Sequence, residues 1–209
     1  MGTQLIRWDG MISMVTGGLL VVWWILVATL FPTLDPTVGM VDIVGESTWL
    51  PFSLPGAVAA ILLPGVIVSL YMAQKGMVSK AGQVGFYLSL VGSVMFAWVQ
   101  IEQTFVWPRI VEEAPNLVDY SFPILGNNQF DFIYWPAHLL LAVGLFLFGQ
   151  ATVKAGVFPR WTGHLLWFGG LTFGISGIVL GLRFLSIITF GPALIWMGFL
   201  QWRDRGAAY

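Results

Sequence analysis

The chain has 209 residues, of which 57% are hydrophobic and 9% charged, with a formal net charge of −1. About a quarter of an average soluble domain is charged, so water is not the solvent of most of this surface. The near-cancelling charges form no basic stripe, which argues against nucleic acid as a partner. With no cysteine, disulfides, iron–sulfur clusters, thiolate zinc sites and cysteine nucleophiles are excluded.

A helix needs about 20 mostly apolar residues to cross the hydrocarbon of a bilayer. Six stretches qualify in chain order, at 11–31, 54–73, 81–106, 130–153, 161–181 and 184–202. The first is too long for a signal-peptide core and is followed by Pro32 and Thr33, so it is expected to be retained. None of the stretches has a barrel strand's alternation. The sequence therefore predicts an all-α fold, a single six-helix transmembrane domain over residues 1–209.

Seven of the nine basic residues, Arg7, Lys75, Lys80, Lys154, Arg160, Arg203 and Arg205, fall at the N-terminus, the two short loops and the C-terminus. By the positive-inside rule those segments are cytoplasmic, giving an N-in, C-in topology. The longer loops at 32–53 and 107–129 carry Asp35, Asp42, Glu46, Glu112, Glu113 and Asp119 against Arg109 alone, and are expected to face outward. Trp8, Trp49, Trp107, Trp135, Trp161 and Trp202 mark predicted helix ends, as an aromatic belt would.

Gly76-Met77-Val78-Ser79-Lys80 echoes Gly156-Val157-Phe158-Pro159-Arg160 at an offset of 80 residues, and Phe52 echoes Phe132. Either a weak repeat relates 52–106 to 132–181, or two cytoplasmic turns of equal orientation share the same requirement for small and basic residues.

The run Lys154-Ala-Gly-Val-Phe-Pro-Arg160-Trp161-Thr-Gly163 and the opening Arg7-Trp8-Asp9-Gly10 resemble the inner-loop pattern of small uncharacterised multi-pass membrane proteins of bacteria, of the domain-of-unknown-function type. The likeness covers about twenty residues and departs from the pattern at His164. It implies a bacterial cytoplasmic (inner) membrane and carries no catalytic residues with it.

Gly174-Ile175-Ser176-Gly177 is similar to the nucleophile motif of rhomboid-type intramembrane serine proteases, but both histidines, 138 and 164, precede Ser176. Packing accounts for the motif better, because Gly170, Gly174, Gly177 and Gly181 set small residues four apart where neighbouring backbones can approach. The two histidines invite a haem or metal reading. At about 1.5 Å per residue, His138 lies roughly 24 Å above Lys154 and His164 roughly 6 Å above Arg160, too far apart for one ion, and no cofactor is expected.

The same count places Glu102, Asp131 and Arg183 about 33–34 Å above Lys80, Lys154 and Arg160. With Gln100, Gln103, Asn127, Asn128 and Tyr134, and His138 one to two turns deeper, they form a candidate ligand-binding layer at the outer rim: Glu102, Gln103, Asp131, His138 and Arg183. A solvated rim is the competing account. No Asp, Glu, Lys or Arg occupies the central third of any predicted helix, which argues against a proton relay or ion-coupled carrier. The midplane instead carries helix breakers at Pro64, Gly144 and Pro192, which read as kinks around a neutral-substrate cavity or as simple packing.

Three functions follow as expectations. The first is a non-enzymatic membrane protein binding a lipid-like or neutral ligand, or serving as the membrane subunit of a larger complex, with membrane lipids and partner subunits as its neighbours. The second is a small transporter for a neutral or hydrophobic substrate. The third is a lipid-modifying intramembrane enzyme using Glu102, His138 and Arg183.

Overall fold

The computed structural model describes residues 2–30, 40–115, 131–176 and 182–204. Among them the ordered elements are all helical: α1 (Gly2–Leu30), α2 (Met40–Val44), α3 (Trp49–Ala73), α4 (Lys80–Ile101), a π-helical turn (Glu102–Val106), α5 (Trp107–Glu113), α6 (Asp131–Ala155), α7 (Arg160–Ile175) and α8 (Leu182–Asp204). Five stretches are long and apolar enough to cross a membrane: Trp8–Val27, Trp49–Ala73, Lys80–Glu113, Phe132–Ala155 and Phe184–Arg203. The helix expected over 161–181 has 16 described helical residues, and 177–181 lie outside the described residues.

The six long helices close a ring in chain order, α1, α3, α4, α6, α7 and α8, with α8 returning to α1. Glycine crossings give their directions. Gly85 faces Phe148 and Gly92 faces Leu141, so α4 and α6 run antiparallel; Gly149 on Trp167 and Gly174 on Ala142 do the same for α6 and α7. Gly10 on Gly198 and Gly17 on Gly191 close α1 against an antiparallel α8. A Cβ at Gly85 would stand 2.5 Å from the Phe148 nitrogen and one at Gly17 would stand 2.6 Å from the Gly191 oxygen, so only hydrogen permits these approaches.

The ring's short turns follow from local chemistry. Gly76 and Gly156 take φ of +91° and +67°, the left-handed conformation that ends a helix cheaply only at glycine. Beyond the first, the Ser79 side chain accepts from the Gly82 N–H and caps α4. Beyond the second, Thr162 Oγ1 donates to the Pro159 carbonyl. These are the glycines of the 80-residue echo, and they do the same job in both hairpins.

Phe173 occupies the hub, with ring centroids 5.1 Å from Phe96, 5.5 Å from Phe190 and 6.3 Å from Trp24. Leu63, Leu141, Leu145, Leu166, Leu194 and Met197 fill the rest of the axis. Outward, α1, α3, α4, α6, α7 and α8 each show large apolar side chains, among them Val22, Ile61, Val91, Leu139, Phe168 and Ile188. Ser89, Thr152 and Thr172 bond back to their own helix at Gly85, Phe148 and Phe168, which meets their polar demand without water.

The long loops differ from expectation. The helical path expected to end near 106 continues: α4 is followed by the π turn at Glu102–Val106, which passes directly into α5, and the Trp107 N–H bonds to the Glu102 carbonyl five residues back. Pro108 is the physical reason, since it lacks an N–H and its ring collides with the carbonyl four residues earlier, at Thr104. In the other loop, α2 forms at 40–44 and α3 starts at Trp49. Trp49 and Trp107 are not belt residues but are buried with Ile43 and Val44, whereas Trp8, Trp161 and Trp202 are exposed.

Candidate functional site

Lys75, Lys80, Lys154, Arg160 and Arg203 share one end of the ring. At the opposite, acidic end the π turn carries three of the relevant residues, Glu102, Gln103 and Thr104. The Trp49 indole N–H donates to the Gln103 carbonyl at 2.9 Å and ties α3 to that turn. Gln100 Nε2 donates to Gln103 Oε1 at 3.1 Å. Glu102 is half-buried beside them.

One turn deeper, Phe96 stands edge-on to His138, with centroids 5.6 Å apart. The imidazole is buried, lying 4.2 Å from the Tyr134 ring and 6.1 Å from the ring of Phe173. His138 Nδ1 lies 2.9 Å from the Tyr134 carbonyl. A carbonyl only accepts, so that nitrogen carries the proton and Nε2 is left as an acceptor in the neutral ring.

Two polar atoms of this end have no hydrogen-bond partner among the described residues, Thr104 Oγ1 and Trp135 Nε1, and a third, Trp23 Nε1, lies deeper, where the Trp23 ring packs on Gly56; each is buried. Two are obligate donors and one is a hydroxyl, so what satisfies them must present an acceptor oxygen or nitrogen. Above this layer a surface pocket of about 160 Å³ opens between α2, α3 and α5, walled by Trp49, Leu50 and Pro108 and flanked by Glu46 and Glu112.

Of the residues expected here, Gln103 and Gln100 are joined directly, while His138 packs deeper, against Phe96, Tyr134 and Phe173. Asn127 and Asn128 and the side chains of Asp131 and Arg183 lie outside the described residues. The backbone of Arg183 does not stand at the height expected from counting upward from Arg160. Helix α7 ends at Ile175 and Arg183 opens α8, whose Phe190 crosses α7 at Gly169. Arg183 is therefore level with Ser176 and His138, about two turns deeper than Glu102. The 23-residue count overshot because α7 ends at Ile175, short of where the count carried it.

The other candidates are placed as follows. Helices α3 and α8 stay α-helical through Pro64 and Pro192, and Gly144 serves the α4–α6 crossing, where a Cβ would stand 2.6 Å from Ser89 Oγ. Ser176 is buried and donates to the Phe173 carbonyl at 2.6 Å, while Gly170 packs on Leu145 and Gly174 on Ala142. The packing account of that glycine series holds for these two; Gly177 and Gly181 lie outside the described residues. His164 is exposed and accepts from Trp167 Nε1 at 3.0 Å, ten residues along α7 from the Gly174 crossing beside His138.

Thr104, Trp23 and Phe173 escaped sequence reasoning. For Thr104 a signal existed, because a proline four residues on, inside an apolar helix, requires a local change of pitch at that carbonyl. Trp23 and Phe173 are single apolar letters in apolar runs, and nothing local distinguishes them. No family model matches the chain, and no curated protein or solved structure matches it either.

Proposed function

We propose that the chain is a six-span membrane protein with both termini in the cytoplasm, and that its acidic, outward end binds the polar part of a lipid-like or neutral ligand. The observation that carries the reading is the pair of buried, unpartnered groups Thr104 Oγ1 and Trp135 Nε1 at the end that holds Gln100 and Gln103. A buried donor left unmet costs about 1–3 kcal/mol, and two at one end favour an acceptor-bearing guest, such as an ester or amide carbonyl. Glu102, Asp131 and Arg183 would border that guest. The filled axis at Phe96, Phe173 and Leu63 favours binding over passage, so the transporter reading ranks second. The basic-end charges and the likeness to small bacterial membrane proteins favour the cytoplasmic membrane of a bacterium.

Seven of nine basic residues in the terminal and short-loop segments also favour the orientation, and the outward apolar side chains of α7 favour a sixth crossing. Reporters fused at Lys75 or Lys154 should be cytoplasmic, and reporters at Asp42 or Glu113 should be outside. An odd number of crossings would overturn the topology.

For the ligand, protein purified in mild detergent should retain a lipid or other neutral molecule by native mass spectrometry. Thr104→Val and His138→Ala should each reduce its occupancy at least threefold without loss of folded protein. Equal occupancy in both variants and in the wild type would remove the outer layer from consideration.

A further inference from the structure

Most buried hydroxyls in this bundle bond to their own helix. Thr16, Ser53, Ser89, Ser93, Thr152 and Thr172 are buried, and each donates to a carbonyl three or four residues back, the usual resort of a helical hydroxyl away from water. Ser13 reaches across to the Leu194 carbonyl of α8 instead. Thr104 does neither. It is 0% exposed, and among the described residues its Oγ1 is the one buried hydroxyl with no partner.

The difference lies in the π turn, Glu102–Val106, that contains it. In that register the carbonyl beneath a residue is the one five back, so the carbonyls of Ile101 and Gln100, three and four back, are displaced from the hydroxyl that would otherwise reach them. The backbone is affected as well. The Trp107 N–H, which an α-helix would give to Gln103, goes to the Glu102 carbonyl, and the next residue, Pro108, has no N–H. The Gln103 carbonyl has thus lost both of its helical donors. The Trp49 indole supplies the bond at 2.9 Å, from a ring that is 7% exposed and packed with Ile43, Val44 and Trp107.

We infer that Trp49 is a positioning residue for the outward site: its indole replaces the helix bond that Pro108 removes, and so holds the register in which the Thr104 hydroxyl is withheld from its own helix and left for a guest. This rests on the ligand-binding reading above and names what keeps that hydroxyl available. Without the indole, the Trp107 N–H is the helical donor that can return to Gln103. That return restores the α register and gives the Thr104 hydroxyl back to Gln100.

The test uses the full chain in mild detergent, with occupancy of the retained ligand read by native mass spectrometry and melting temperature measured on the same samples. Thr104→Val and Trp49→Phe should each lower occupancy by about threefold to tenfold, the loss of one hydrogen bond, while Thr104→Ser stays within about twofold of the wild type. In protein stripped of ligand, Thr104→Val should leave the melting temperature unchanged or higher, since it removes a hydroxyl that nothing meets. Pro108→Ala adds an N–H beside the Gln103 carbonyl and ends its dependence on the indole, so Trp49→Phe should cost less melting temperature in that background than alone. Equal costs in the two backgrounds overturn the clasp between Trp49 and Gln103. If Trp49→Phe alone yields no folded protein, recovery in the double variant supports the clasp and failure there overturns it, while the Ser and Val pair still decides the role of the hydroxyl. A ligand lost in Thr104→Val but kept in Trp49→Phe removes the positioning role and leaves the binding reading standing. The same loss in Thr104→Ser as in Thr104→Val also removes it, and a wild type that retains no ligand removes both.

Discussion

Gly144→Leu and Gly174→Leu should each lower the melting temperature of the detergent-solubilised protein by about 10 °C or abolish recovery of folded protein, while Gly65→Leu should leave it within about 2 °C. All three put the same side chain in an apolar helix. What differs is the neighbour. A Cβ at Gly144 meets the backbone of Ser89 and stands 2.6 Å from its hydroxyl, and one at Gly174 meets Ala142 and stands 2.6 Å from the His138 carbonyl; at Gly65 nothing lies within 4 Å. Side chains can move aside, but a backbone in a packed helix moves only with the whole helix. Overpacking costs roughly 1–3 kcal/mol where side chains yield, and more where they cannot. Helices surrounded by apolar solvent gain little from burial as such, so close fit carries much of their association. Ser176→Ala is the milder control, since it deletes one hydroxyl bonded to its own helix. Equal effects at Gly65 and Gly144 would mean that the crossing geometry described here is wrong.

That contrast also shows what could be read in advance. The apolar runs and basic short loops are legible because the cost of burying charge acts on each segment alone. The glycines of α7 were legible as packing sites for a similar reason: small residues four apart serve a neighbouring helix whichever it is. Which helix meets which glycine is a property of the closed ring, so the partnership of Gly144 with Ser89 had no local trace, and Gly144 was read as a helix breaker. Trp49 and Trp107 misled because a tryptophan at a helix end suits an interface equally well as a buried cap. Whether α2 and α5 fold over it depends on residues 60 positions apart in the chain. Arg183 was counted to the wrong height because Gly177, a glycine just past Ser176 and so a helix-end signal, was read as a packing position within one continuous helix. His138 was singled out correctly as unusual, but its enclosure by Phe96, Tyr134 and Phe173 comes from three helices converging. Of the five residues expected to bind a ligand, Gln103 bonds to Gln100, Glu102 stands beside them and His138 lies deeper among its rings.

Replacing Phe173 by alanine should be the most damaging truncation in the bundle, costing about 3–5 kcal/mol, whereas Phe173→Leu should cost less than half of that. The ring is 1% exposed and touches Trp24 of α1, Phe96 of α4, His138 of α6 and Phe190 of α8. No single neighbour can collapse into the space that alanine leaves without abandoning another, so relaxation is poor and the cavity persists. Leucine restores most of the lost volume and retains the separation of the four partners. The consequence reaches the outer layer, because Phe173 is one of the rings that hold the imidazole of His138 in place. Phe173→Ala should therefore reduce retention of the outward ligand as well as stability, and Phe173→Leu should preserve the ligand while losing a few degrees. Measuring melting temperature and ligand occupancy on the same samples separates the two effects. If the alanine variant melts early yet holds its ligand undiminished, the hub supports the ring but has no part in the site. If it melts within about 2 °C of the wild type, the axis is not packed around Phe173 at all.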